Sequence, residues 1–590
     1  VGGLVGNNYG GSILDSYATG SVTGRDYVGG LVGRQWGLGT TTNSYATGAV
    51  TGQARAGYLI GDPDYAYISN SYYSLDSSSI NGQKSGWSAR GLSDADLGRW
   101  IANNRVLSGD MFFNGPVDGY YSIDTAAKLR DVAYFATRSG YKFRLTADID
   151  AGGGALPENF YFSRFTAAEF DGGGFKLSHY TLDLPDVDNV GLFGVLGQGS
   201  KLSNWALVDA SVNGRNNVGA LVGSIDGGIV VNSYATGAVS GASSVGGLVG
   251  VNNAGQVTNS YATGTVTGTQ DLVGGLVGDN SAGSILGSYA TGSVTGRDNV
   301  GGLVGRQWAL GTTTNSYATG AVTGHSSVGG IAGSSDADRV INSYFNQDTT
   351  GRDAVSGSGS QTSSWGLSNT EFTQSRFFSG FDFSSPGSPW VQYEGYTAPL
   401  LRSFMKTLTL SEGSKVYDGS RGVSLSDVTA ADLQAGAGVV IDRSKLLGSV
   451  LLSDKNAGDY QSFSGLYSDQ QGYWISYASD FKFTVRKADY TTTSLTGSKT
   501  YNGDANIGGL RLDGVNGESF VANGVANSKN VWEASQFTGV TDITGNNGAD
   551  SRNYDSQNLV AGLTTNQATI NPAAYTSLTG SKSYDGTTRF

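Results

Sequence analysis

The chain has no cysteine, two histidines, two methionines and eight prolines in 590 residues. Without cysteine there is no disulfide, no thiolate nucleophile and no cysteine-ligated metal. The two histidines, His179 and His325, lie far apart in sequence, form no HExxH pair and give little basis for a Ser–His–Asp triad. Charge is sparse at 15%, and 49 acids against 37 bases leave a formal net charge of −12. No basic run offsets that balance, which disfavours nucleic acid or anionic lipid as a partner. Any apolar run approaching the roughly 18–20 residues of a bilayer span is also missing, so no membrane span is expected. The absence of cysteine fits export through an oxidising compartment.

What the chain does have is glycine, 92 residues of it, together with 11% aromatics and regularly spaced Leu and Val. The phrase SYATG recurs with tyrosines at 17, 45, 234, 261, 289 and 317, and NSYYS and NSYFN put Tyr72 and Tyr344 in phase. A second phrase, GGLVG, keeps the same beat with leucines at 4, 31, 248, 276 and 303, and Leu59, Leu221 and Ile331 fill matching slots. Neighbouring copies are 27 or 28 residues apart. Each unit holds short β-prone runs separated by Gly, Asn or Asp and no helical period, as one coil of a β-solenoid would. A single coil buries too few apolar side chains to offset its ordering entropy, so coils must stack. Asn43, Asn70, Asn232, Asn259, Asn315 and Asn342 stand two residues before the tyrosines, with Asp15 and Gly287 in the same column. Stacked amides at these positions would form a hydrogen-bonded structural ladder.

The fold class expected is all-β: β-helix (β-solenoid) modules followed by small tandem β-sandwich or β-grasp-like domains. Residues 12–52 and 284–324 match at an offset of 272 except at Asp15/Gly287, Tyr27/Asn299 and Gly37/Ala309, which marks a duplicated module. Residues 1–100 are then the C-terminal part of one β-helix, and 101–404 are a complete second. The second opens with a capping helix begun by Asp124 or Thr125, with Ala127, Leu129, Val132, Ala133 and Ala136 on its apolar side and Gly140 at its end. Trp365 and Trp390 are expected to pack over its final coil. Beyond Lys406, Tyr417, Tyr501 and Tyr584 repeat at spacings of 84 and 83. They define YDG-like domains at 405–487 and 488–573 and the start of a truncated third at 574–590. Both termini fall inside repeats, so the chain reads as a piece of a longer protein.

VGGLVG…SYATGSVTG resembles the GLUG motif, and IDTAAKLRDVAYFA…YKFRLTADID, FDGGGFKLSHYTL and NVGLFG resemble the opening of modules that carry it. KVYDGS, KTYNGD and KSYDGT resemble the YDG domain. The two occur together in filamentous-haemagglutinin-like adhesins of two-partner secretion type, including biofilm-matrix adhesins. That resemblance implies a secreted or bacterial cell-surface location, an outer-membrane secretion partner and a role in attachment.

Three features draw chemical interest. GRQW at 33–36 and 305–308 replaces the usual polar pair after GGLVG. Arg34, Gln35, Trp36, Arg306, Gln307 and Trp308 would suit a ligand-binding loop, with indole stacking on a sugar and Arg and Gln bonding its hydroxyls. Carboxylate pairs at Asp62/Asp64, Asp148/Asp150 and Asp336/Asp338 sit on turn or capping segments. Solvated turn residues are the plain reading, and Asp148, Asp150, Asp336 and Asp338 are weak calcium candidates, so calcium is possible and no other cofactor is expected. The glycines make no GxxxxGK[ST] phosphate loop. The expected function is non-enzymatic attachment to exopolysaccharide or to a cell-surface glycan or protein through repeated weak contacts. The alternatives are a purely structural spacer and a polysaccharide-active β-helix enzyme.

Overall fold

A computed structural model of the chain describes residues 1–574 apart from 65–66, 85–89, 337, 360, 362, 385–386, 424–432, 436–440 and 462–463. The expected start of a third YDG-like domain therefore lies, but for residue 574, outside the described residues. The chain divides into two compact units: residues 1–372 with 376–381, and residues 373–375 with 382–590.

The first unit is a parallel β-solenoid built as two stacks of coils. In the second stack, Tyr234, Tyr261, Tyr289, Tyr317 and Tyr344 pair rung over rung. Val249, Val277, Val304 and Ala332 do the same on another sheet. The first stack repeats the pattern, with Tyr17, Tyr45 and Tyr72 in one parallel column. Like residues superpose because each coil closes after 27 or 28 residues, and the core is the column of Leu248, Leu276, Leu303 and Ile331 with its valines, all fully buried. At the second glycine of GGLVG neighbouring coils come very close. A Cβ on Gly275 would lie 2.1 Å from Gly302 O and 2.8 Å from Ala290 Cβ, so only glycine fits.

The SYATG strand turns Ser and Ala inward. Ala262, Ala290 and Ala318 belong to the apolar core, while the tyrosines stack face to face outside it, with ring centroids 4.8 Å apart from Tyr234 to Tyr317. The hydrogen-bonded ladder runs one position along from the asparagines. Each buried serine Oγ accepts the N–H of the serine one coil earlier, at 3.1 Å for Ser233→Ser260, Ser260→Ser288 and Ser288→Ser316. The same hydroxyl donates to a carbonyl two residues back, as from Ser260 Oγ to Thr258 O at 2.8 Å. The asparagines have a different role from the one their spacing suggests. Asn43, Asn70, Asn232, Asn259, Asn315 and Asn342 all have φ between 44° and 50°, and Asp15 at 50° and Gly287 at 59° share that left-handed region. Asn, Asp and Gly are the residues that tolerate a left-handed corner, which explains the composition of the column. Asn70 Nδ2 does donate to Asn43 Oδ1 at 2.6 Å, but Asn232 Oδ1 and Asn315 Oδ1 are buried without a partner.

The capping helix is shorter than expected, spanning Ala126–Asp131 and tightening to a 3₁₀ turn at Val132–Tyr134. Thr125 caps it, accepting Lys128 N–H on Oγ1, and Leu129, Val132 and Ala136 are buried. A second helix, Asp94–Ala102, went unseen in the sequence. Ser93 caps it, and its Trp100 packs edge-on against Tyr72 at 5.3 Å and donates to Asn70 Oδ1 at 3.2 Å. Trp365 packs over the final coil as expected, its ring meeting Tyr344 edge-on at 5.6 Å. Trp365 belongs to a rung, Trp365–Leu367, paired with Tyr344–Asn346, whereas Trp390 sits in a small hairpin of the other unit. Phe378 and Phe381 also cover Tyr344, at 5.1 and 5.8 Å.

The second unit is all-β. Lys406–Val416 runs parallel to Tyr473–Arg486, and Ser494–Thr500 runs parallel to Thr565–Asn571. Both sets of strands contribute to one apolar core, including Leu408, Phe483, Leu512 and Phe520. The YDG and YNG turns are each pinned by the preceding lysine: Lys415 Nζ donates to Asp418 Oδ1 at 2.9 Å and Gly422 O at 2.6 Å, and Lys499 Nζ to Asn502 Oδ1 at 2.6 Å. Tyr417 and Tyr554 share the Glu518 carboxylate, at 2.8 and 2.7 Å.

Candidate functional site

GRQW is not a loop. Val32–Trp36 and Val304–Trp308 are strands, and strand alternation splits the four residues between two faces. Gln35 and Gln307 point inward and are fully buried, where they accept Thr41 and Thr313 hydroxyls. They are withdrawn from any ligand. Their column continues inward-facing amides: Asn8 Nδ2 donates to Gln35 Oε1 at 3.3 Å, and Asn252 Nδ2 to Asn280 Oδ1 at 2.9 Å. The amide ladder expected at the SYATG corners exists here in part.

Arg and Trp face outward together. Arg306 grips Asp279 of the preceding coil with Nε and Nη2, at 3.1 and 2.7 Å, and lies 4.8 Å above the Trp308 ring. Arg34 instead reaches Asp62 of the following coil at 3.2 Å and lies 4.9 Å from Trp36. Trp36 is half covered, its ring tilted against Tyr9 at 4.5 Å and donating to Asn7 Oδ1 at 3.0 Å. Trp308 has Ser281 where Trp36 has Tyr9 and is 40% exposed.

The next residues carry a signal that composition alone did not reveal. Between strands, neighbouring coils use Tyr9-Gly10-Gly11 or Ser281-Ala282-Gly283, whereas these coils use Trp36-Gly37-Leu38-Gly39 and Trp308-Ala309-Leu310-Gly311. One residue has been added, and it is a leucine. Leu38 and Leu310 have φ of 64° and 73° and are 63% and 72% exposed. A bulky residue pays strain in that backbone region, and an exposed one recovers nothing by burial. Aligning the coils residue by residue would have found it.

Another polar cluster went unread. Columns Lys142–Glu169–Lys201 and Arg144–Asp171–Ser203 cross the outward face of the first coils of the second stack. Glu169 accepts Tyr120 Oη at 2.7 Å, Lys201 Nζ at 2.8 Å and Ser203 Oγ at 3.1 Å. Asp171 accepts Arg144 Nε at 2.8 Å and Asn204 Nδ2 at 2.9 Å. Burial pushes both carboxyls up, but these hydrogen bonds and cations outweigh it and hold both below the usual carboxylate range. A glycosidase needs one carboxyl kept protonated near neutrality, and this pair is tuned the other way.

The remaining candidates stay apart or satisfied. Asp148 accepts Lys176 N–H, and Asp150 accepts Gly152 N–H and pairs with His179 Nδ1 at 2.9 Å. Those bonds lower the Asp150 carboxyl and raise the His179 imidazole. Asp336 accepts Ala309 N–H at 3.2 Å. Among the described residues no three His, Asp or Glu side chains converge on a metal position, and no helix is long and apolar enough to cross a membrane.

The family match falls on the coils. The family described as the GLUG motif matches residues 1–23, 24–51, 241–267, 270–295 and 296–323, which are coils of the two stacks. Those matched coils carry the GLUG motif, within a unit whose fold is a parallel β-solenoid. Over 127 residues it is 35% identical to halomucin of Haloquadratum walsbyi, covering 19% of this chain and 1% of halomucin. Among solved structures, a Bacteroides ovatus protein provisionally assigned as an immunoglobulin A1 protease aligns at 22% identity with a TM-score of 0.40, over 49% of this chain and 94% of that one. At that score the likeness carries no argument about function.

Proposed function

We propose that the chain is a cell-surface attachment segment, in which the coil stacks present Trp36–Leu38 and Trp308–Leu310, each beside its arginine, to an external polysaccharide or protein. The observation that carries this reading is the added leucine next to an outward tryptophan. The solenoid closes without it in every neighbouring coil, and its strained backbone and exposure serve no packing purpose. The second copy came with the module duplication and adds no independent weight. The GLUG repeats and the similarity to halomucin support placement at the cell surface, and secretion with an outer-membrane partner follows from the adhesin resemblance. Single contacts of this size are weak, so strength would come from several acting together.

The test is a variant of the full chain carrying Trp36→Ala, Leu38→Gly, Trp308→Ala and Leu310→Gly. Glycine suits the left-handed positions, so folding should be preserved. Binding to glycan arrays and to intact cells should fall at least about tenfold. Equal binding removes these residues from the contact, and absence of binding by the parent chain favours a spacer.

A further inference from the structure

Another presented tryptophan lies in the other unit. Trp532 is 79% exposed, with φ of 71°, and no hydrogen bond or ring contact engages it among the described residues. It sits in the connection between the antiparallel strands Ser519–Ala526 and Phe537–Gly545. In the preceding domain the connection between Leu447–Leu451 and Ser464–Tyr467 carries Lys455-Asn456-Ala457-Gly458, matching Lys529-Asn530-Val531-Trp532. In this sequence match the tryptophan stands where the preceding domain has Gly458, which there begins a short strand, Gly458–Tyr460, paired with Tyr473–Arg486, so the turn that holds Trp532 is particular to this domain. Glycine adopts a φ of 71° freely and tryptophan does not, so the indole is one that the backbone resists and the core does not use.

The loop is also held rigid around it. Asn527 closes the base, accepting Ser535 and Gln536 N–H on Oδ1 at 2.9 and 3.2 Å and donating its own N–H to Gln536 O at 2.9 Å. Next to the tryptophan, Glu533 Oε2 accepts Ser528 Oγ at 3.0 Å and Asn530 Nδ2 at 2.7 Å.

We propose that Trp532 is a stacking platform for a pyranose ring of an extracellular polysaccharide, a site separate from the coil faces and independent of the reading given to them. The chemistry selects the ligand class. A membrane-inserting tip or a protein hot spot needs contiguous apolar surface, and here the exposed neighbours Lys529, Asn530, Glu533, Ser535 and Gln536 are all polar. A sugar needs one flat aromatic face for its C–H surface and a polar rim for its hydroxyls, and that is what the tip offers.

Trp532→Gly and Trp532→Tyr in the full chain test this, with the parent and the four-residue coil-face variant beside them. The readouts are glycan-array binding and retardation in gels containing soluble polysaccharides. Glycine relieves the strained backbone, so its variant should melt no lower than the parent. The proposal expects the glycine variant to lose about tenfold or more in affinity for at least one polysaccharide, tyrosine to keep part of it, and the coil-face variant to keep this component. Unchanged binding in Trp532→Gly overturns the proposal, as does a parent chain that binds no glycan. Trp532-dependent binding to phosphatidylcholine vesicles without glycan binding also overturns it, in favour of a lipid surface.

Discussion

Replacing Ser260 with alanine and, separately, Asn259 with glycine asks which column holds the coils together. Ser260 Oγ accepts Ser233 N–H at 3.1 Å and donates to Thr258 O at 2.8 Å, in a fully buried setting. Removing it deletes two hydrogen bonds and strands a buried donor. At about 1 kcal/mol per net bond and 1–3 kcal/mol for an unsatisfied buried group, Ser260→Ala should cost about 2–4 kcal/mol. Asn259 is required only to tolerate φ of 47°, which glycine does freely, and Gly287 already fills that slot one coil on. Asn259→Gly should lie within about 0.5 kcal/mol of the parent. Hydrogen exchange of the peptide spanning residues 231–235 reports the local opening free energy, and thermal melting checks the unit as a whole. If Ser260→Ala is neutral while Asn259→Gly costs more than about 1 kcal/mol, the assignment is reversed and the asparagine amides carry the ladder after all.

Two further outcomes follow from the same geometry. Glu169 and Asp171 titrate lower in the fold than their ordinary values, so their stabilisation is present above the unfolded carboxylate range and is lost as pH falls from that range through the lower folded values. Melting temperature against pH should drop steeply there, and Glu169→Gln with Asp171→Asn should flatten that limb; an unchanged limb refutes the account. A Cβ on Gly302 would meet Gly330 O at 2.2 Å and Ala318 Cβ at 2.9 Å, whereas one on Gly20 meets nothing within 4 Å. Gly302→Ala should therefore cost about 3 kcal/mol in denaturant unfolding and Gly20→Ala less than about 0.5 kcal/mol, and equal effects would contradict the close packing of coils.

The architecture was legible because stacking converts sequence period directly into spatial register: the tyrosine spacings named the rungs before any coordinate did. Which face looked inward was not legible, since SYAT alternates two small residues with two that suit either side, and only the glycines opposite Ala262 and Ala290 decide it. The Asn column misled because left-handed corners and stacked amides select the same residue. Gln35 looked available because its neighbours in sequence are Arg34 and Trp36, and strand alternation then separated them. The extra leucine and Trp532 are visible only when equivalent segments are laid side by side, because each is defined by what its counterpart lacks. The helix at Asp94–Ala102 is short and carries two buried residues, too few to announce a period.

Each coil touches chiefly the one before and the one after, and every rung repeats the hydrogen-bonding template of its neighbour. Unequal crossing-over within the gene can therefore insert or delete whole coils without disturbing the rest, and each adds or removes about 4.8 Å. A lineage could adjust how far such a protein extends by recombination alone, with no new point mutation, and the 272-residue offset shows that recombination on this scale has already happened here.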